Sequence, residues 1–250
     1  MTSVTSNGKF ELHHIVRPGL RAIIFDVDGT LYRQGPLRRA VFYRLLRAHI
    51  YHPARLVSTA RCLYAYRAAQ ETLRTSPPVW QDIAEAQLQL ASERAGVRPE
   101  ILLACITRWM EEEPLDLLAD FRHEGIKELL REVKQRGLRL GVFSDYPASR
   151  KLEAMGIQDH FDVVVTAQDA EVQRFKPNPH GLQVTLHRLG VAAHEALCVG
   201  DRADVDGIAA LRAGIPCIIL GRDKIAGEKL ALINIRNYWE LLKVLCQGGS

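Results

Sequence analysis

The sequence predicts an α/β fold: a doubly wound parallel sheet with an all-helical segment inserted after its first strand. Three observations carry this. A short apolar run, Ala22 to Phe25, ends abruptly in Asp26-Val27-Asp28-Gly29-Thr30. No strand-like run occurs between residues 37 and 117. From about residue 124 onward a helical stretch, a glycine and an apolar strand recur in that order, which is the grammar of crossover units in a parallel sheet.

Ala22 to Phe25 reads as a buried strand, and Leu31, Tyr32, Gly35 and Pro36 as the loop after it. Ala, Leu, Arg and Gln then dominate, predicting helices over 37–50 and 54–74. Pro77-Pro78 breaks the run, and helices over 79–95 and 99–113 follow, separated by Gly96 and Pro99. Ile126, Leu129, Leu130 and Val133 share one helix face, and Gly137 ends that helix. The remaining pattern predicts strand 138–143, helix 148–155, strand 162–166, helix 179–189, strand 196–200, helix 206–213, strand 215–220 and helix 238–246. The expected organisation is a core of residues 1–34 and 118–250 carrying a helical cap at 35–117. Residues 1–17 are expected to be partly disordered.

Composition narrows the function classes. At 250 residues and 47% hydrophobic content, the chain has ample material for a large core, and no run approaches the roughly 18 apolar residues of a membrane span. The net charge of +4 is too mild to predict nucleic-acid binding. Five scattered cysteines without a CxxC pair predict a reduced, cytoplasmic protein. The pattern leaves the oligomeric state open.

Four polar signals sit just beyond predicted strand ends: Asp26 with Asp28, Ser144, Lys176, and Asp201 with Asp204 and Asp206. Carboxyl ends of parallel strands converge, so these residues predict one site with several carboxylates, a hydroxyl and an ammonium. Clustered carboxylates need a counter-charge, and a few hard oxygen ligands suit Mg2+ beside a phosphate. Lys176 supplies a point charge for that phosphate, and backbone N–H groups of the 27–30 turn can cradle an anion. The outline is a phosphoryl-transfer site. Asp204 and Asp206 equally suit the capping of the helix that follows them.

In order and spacing, these segments resemble the haloacid dehalogenase-like hydrolase superfamily. Asp26-Val27-Asp28-Gly29-Thr30-Leu31 looks like its first motif, Ser144 its second, Lys176-Pro177 its third, and Gly200-Asp201 with Asp206 its acidic fourth. The resemblance implies a Rossmann-like core with an inserted cap. It implies Asp26 as nucleophile and metal ligand, and Asp28 as general acid–base whose backbone carbonyl also meets the metal. Thr30, Ser144 and Lys176 are then the phosphoryl-binding residues. Asp201 and Asp206 are the further Mg2+ ligands, with Asp204 as the alternative to Asp206. Asp145 departs from the neutral residue many relatives carry after the second motif. An acid two residues after the nucleophile favours a phosphatase over a dehalogenase.

The expectation is therefore a Mg2+-dependent phosphatase acting through an aspartyl-phosphate on a sugar phosphate, phosphoglycolate or a nucleotide. The alternatives are a phosphomutase and a silent phosphate-binding regulatory module. The expected partner is a small phosphorylated substrate, with neither nucleic acid nor membrane. Cap charge is asymmetric: nine Arg and one acid from Arg33 to Arg74, then eight acids and three Arg from Asp82 to Asp116. If the two halves partly neutralise each other, an excess of arginine remains near the cleft, with Arg33 and Arg38 closest in sequence to the first motif.

Overall fold

In the computed structural model, which describes residues 12, 19–75, 82–221 and 232–247, Ala22–Phe25 forms β1 and is buried throughout. Five strands follow: β2 (Arg139–Ser144), β3 (Val163–Thr166), β4 (Ala196–Gly200), β5 (Cys217–Leu220) and β6 (Leu232–Ile235). They pair in parallel, in the order β3-β2-β1-β4-β5-β6. The chain thus walks from β1 to β3 on one side, then crosses to β4 and walks the other way. Ligands of such sheets bind beyond the carboxyl ends at the reversal, here between β1 and β4. Phe25 stands opposite both Val142 and Val199, so the segments after β1, β2 and β4 emerge side by side.

Alternation along β1 feeds two apolar layers. Ile23 and Phe25 pack with Ile126, Leu129, Leu130 and Val133, and with Tyr238, Leu241 and Leu245 of the last helix. Ala22 and Ile24 pack on the other face, with Leu182, Leu186, Leu189, Ala209 and Ala210. Both faces of the sheet are covered, as parallel sheets require.

Between β1 and β2 lie α1 (Gln34–Ala48), α2 (Pro53–Thr75), α3 (Ile83–Ala95) and α4 (Pro99–Ile106), the last running into a π-helical turn, Thr107–Glu112. Asp82 caps α3, accepting from the amides of Ala84 and Glu85 at 2.9 and 3.0 Å. Ala65 and Ala69 of α2 share a buried cluster with Ala91 and Ala95 of α3 and with Leu102 and Ile106. Small side chains there let the two helices approach closely. At the root of this block Tyr32 and Arg122 form an antiparallel bridge. It is flanked by Arg33 N–H to Phe121 O at 2.8 Å and His123 N–H to Leu31 O at 3.1 Å.

Two expectations need correction. Gly35 and Pro36 belong to α1 rather than to a loop, because a proline in a helix's first turn loses no intrahelical hydrogen bond. β6 was not expected, since Asn234 interrupts Leu232 to Ile235 and leaves no continuous apolar run such as β1 and β5 show. Apart from Leu12, residues 1–17, where disorder was expected, lie outside the described residues, and so does the Pro77-Pro78 break.

Leu130 is fully buried in the layer under β1. Leu130→Ala should lower the unfolding free energy by about 2–5 kcal/mol, read as a fall in the urea midpoint. A loss below about 0.5 kcal/mol, typical of surface substitutions, would contradict this packing.

Candidate active site

The loop leaving β1 is pinned from several sides. Asp26 N–H donates to Val199 O at 2.9 Å. Thr30 Oγ1 donates to Asp26 Oδ2 at 2.9 Å and so orients that carboxylate. Behind the loop, Tyr238 OH donates to Thr30 O at 2.7 Å, and His123 Nε2 lies 3.2 Å from Gly29 O. Gly29 has φ +102°, and a Cβ there would fall 2.1 Å from Asp201 Oδ2. Only glycine lets the two strand ends come this close.

At the centre sits Lys176. Its buried ammonium donates to Asp26 Oδ1 at 2.5 Å, to Asp206 Oδ1 at 2.7 Å and to Phe143 O at 3.4 Å. Asp206 reaches it from a π-helical turn, Ala203–Gly207, that follows β4. Its other oxygen accepts Arg202 N–H at 3.1 Å. Asp26, Asp201 and Asp206 each place an oxygen within 4.8 Å of the others. Asp204, the alternative to Asp206, is exposed and paired with Arg202 at 2.7 Å instead.

The electrostatics follow from burial. Desolvation pushes the Asp26 carboxyl up to about 8; Lys176 works against this, and Asp206 and Asp201 reinforce it. Asp201 is pushed up to about 7 by burial first and the charge of Asp206 second. Burial opposes the charge of Lys176, but Asp206 and Asp26 outweigh it and raise its pKa. Three carboxylates against one ammonium leave two negative charges uncompensated when all are ionised. A cluster of hard oxygen donors with that deficit fits a small divalent cation.

The carboxylate of Asp28 lies outside that cluster. It accepts both from Lys151 Nζ, at 2.6 and 2.8 Å, and from Tyr32 OH. Burial disfavours its charge, but Lys151 and these hydrogen bonds more than offset that and lower its pKa. Ser144, buried at the end of β2, accepts Tyr146 N–H at 3.3 Å through its hydroxyl oxygen. Asp145 adds no loose charge. Its Oδ1 accepts Lys176 N–H at 3.0 Å, and its Oδ2 accepts from Arg74 at 2.6 Å and Gln70 at 3.2 Å. Arg74 also donates to Lys176 O at 2.5 Å. Of the predicted residues, Asp26, Asp28, Lys176, Asp201 and Asp206 line a cavity of about 420 Å3 roofed by α1, α2 and the π-helical turn, while Thr30 and Ser144 are buried beside it and do not line it.

Lys151, Tyr32 and Arg74 are contacts that sequence reasoning missed. Lys151 does stand in the first turn of the helix after β2 (Ser149–Ala154), where side chains face a switch-point crevice, and this was the available signal. Arg74 was hidden inside a run of arginines that otherwise reads as a solvated face.

Comparison with known proteins gives the family. A protein-family profile described as haloacid dehalogenase-like hydrolase matches residues 20–214. A glyceraldehyde 3-phosphate phosphatase of Methanopyrus kandleri is 29% identical over 210 residues, covering 82% of this chain and 85% of its own length. A phosphoglycolate phosphatase of Shigella boydii is 31% identical over 233 residues, covering 85% and 86% respectively. The crystal structure of a HAD phosphatase from Thermococcus onnurineus superposes with a TM-score of 0.59 at 25% identity, over 90% of this chain and 98% of that one. Among the described residues, no helix is long and apolar enough to cross a membrane.

Protons and a divalent cation compete for the same oxygens. Asp26 and Asp201, raised to about 8 and about 7, take up protons as the pH falls from 8 to 6. The Kd for any divalent cation held by these oxygens should therefore rise by about tenfold per pH unit as the pH falls through this window. Calorimetry in buffers of different ionisation enthalpy should show proton release on binding. An affinity flat from pH 6 to pH 8 would contradict the shifted carboxyls.

Proposed function

We propose, from the premise that this chain belongs to the haloacid dehalogenase-like hydrolases and is a phosphoric monoester hydrolase, that it is a Mg2+-dependent phosphatase working through an aspartyl-phosphate. The observation that carries this reading is the clustering of buried Asp26 and Asp206 with half-buried Asp201 beside Lys176, with Asp28 held apart by Lys151. It separates a nucleophile from an acid–base on one loop.

In this reading an Asp26 oxygen attacks phosphorus and the ester P–O bond breaks. Asp28 gives its proton to the departing alkoxide. Asp28 then takes a proton from water, the resulting hydroxide attacks phosphorus, and the bond to Asp26 breaks, releasing orthophosphate. Lys151 favours the ionised form of Asp28, so the proton-donating step has Lys151 turned to another anion. Lys176, Ser144 and Thr30 hold the phosphoryl group or its acceptor in line. Asp26, Asp201, Asp206 and the backbone carbonyl of Asp28 would hold Mg2+, which when bound neutralises carboxylate and phosphate charge.

Residues 35–117 serve as the cap, and residues 1–34 with 118–250 as the catalytic core. The cavity, about 420 Å3, suits a sugar phosphate, phosphoglycolate or a nucleotide rather than a macromolecule. The names of the two relatives above point to small three-carbon and two-carbon phosphates. The five free cysteines support a cytoplasmic setting.

The test is hydrolysis of p-nitrophenyl phosphate with and without Mg2+. Asp26→Asn should lower kcat by about 1000-fold or more, roughly 4 kcal/mol, with an unchanged circular-dichroism spectrum. Near-normal kcat in the folded variant would overturn the nucleophile assignment. Asp201→Ala should raise the Mg2+ concentration for half-maximal activity by about tenfold or more, about 1.4 kcal/mol. An unchanged activation curve would remove Asp201 from the metal site.

A further inference from the structure

Two arginines of the helical block face the cavity unengaged. Arg38 on α1 and Arg67 on α2 both line it, together with Asp26 and Asp28. Neither has a hydrogen-bond or ion-pair partner among the described residues. Neighbouring arginines differ: Arg44 pairs with Asp116 at 2.6 Å, Arg74 with Asp145 at 2.6 Å, and Arg202 with Asp204 at 2.7 Å. The acids of the same cavity form no ion pair with either arginine, although the charge of Asp28 reaches Arg67. Asp28 is taken by Lys151 and Tyr32, and Glu71 is shared between Arg74 and Arg202 at 3.3 Å each. Glu111, also in the wall, makes an ion pair with neither arginine.

The two guanidinium groups lie in each other's field. Burial, and next the charge of Arg38, lower the pKa of Arg67, and the charge of Arg38 also reaches Tyr32 beside Asp28. Both arginines are solvent-accessible, and like charges set side by side on one cavity wall repel unless an anion joins them. We propose that Arg38 and Arg67 form a subsite for a second anionic group, carboxylate or phosphate, on a small phosphorylated substrate whose transferred phosphoryl group sits at Lys176. Lys151 lines the same cavity. This rests on the phosphatase reading above. A guanidinium matches two oxygens of a carboxylate or phosphate at once. A neutral hydroxyl would leave both charges unanswered. The subsite therefore selects phosphorylated acids or bisphosphates over phosphate esters of neutral alcohols.

The experiment uses matched substrates with Mg2+: phosphoglycolate against ethyl phosphate, and propane-1,3-diyl bisphosphate against propyl phosphate. The wild type should favour the member with the second anion by about tenfold or more in kcat/KM, in at least one pair. Whichever pair responds identifies the group as carboxylate or phosphate. In Arg67→Gln and in Arg38→Gln that ratio should fall by about tenfold, mainly through KM. Arg67→Lys, which keeps the charge and loses the fork, should recover part of the ratio and guards against a misfolded glutamine variant. Ratios near one in the wild type for both pairs, or ratios unchanged in both glutamine variants, overturn the subsite. If the wild type hydrolyses none of these substrates, nor p-nitrophenyl phosphate, it is the phosphatase reading that fails. Calorimetric binding of phosphoglycolate then decides the subsite: a weaker Kd in Arg67→Gln supports it, and an equal Kd overturns it.

Discussion

One buried ammonium sets the terms for everything at the mouth of the sheet. Lys176 brings charge into a region where an unpaired ion costs several kcal/mol, and it is tolerated because Asp26 and Asp206 close on it from β1 and from the turn after β4. Such a cluster is weak evidence for stability, since desolvation cancels much of the attraction. Its parts are nonetheless held rigidly. Asp145 takes the backbone N–H of Lys176 and Arg74 takes its carbonyl, while Asp145 and Arg74 bind each other. The main chain of the lysine is thus fixed by an ion pair whose arginine comes from the helical block. The placement of that block and the placement of the ammonium are one mechanical question.

Much of this was legible in the sequence because chemistry and periodicity coincide there. Asp26, Ser144, Asp201 and Asp206 follow apolar runs that can hardly be anything but strands, and the topology of parallel sheets gathers strand ends without further information. Strand order was not readable, and neither was β6, whose apolar run is broken by Asn234. The helices of the inserted block were readable from composition; the direction of their side chains was not. Lys151 and Tyr32 matter because tertiary packing aims them at Asp28, a fact with no local signature.

The charge asymmetry of the helical block resolves in the same way. Acids of its second half do meet arginines of its first: Arg44 pairs with Asp116 and approaches Glu113. What remains at the cavity is Arg38, as its nearness to β1 suggested, and Arg67, far from it in sequence. Arg33, the other arginine near the first motif, donates instead to the carbonyl of Asp120 at 3.3 Å and does not line the cavity. Sequence distance is a poor guide on helices that fold back, because one turn in register decides which side chain faces inward.

The bridge between Tyr32 and Arg122 has a consequence for how such a chain diversifies. A segment whose two ends are hydrogen-bonded side by side can be lengthened, shortened or replaced while the strands it joins stay where they are. The helical block is in that sense a cassette, and the seam is where inheritance or engineering can splice in another. Tyr32 limits the freedom: it is part of the seam, yet its hydroxyl touches Asp28. Any replacement roof must reproduce that one contact, or it exchanges the chemistry together with the specificity.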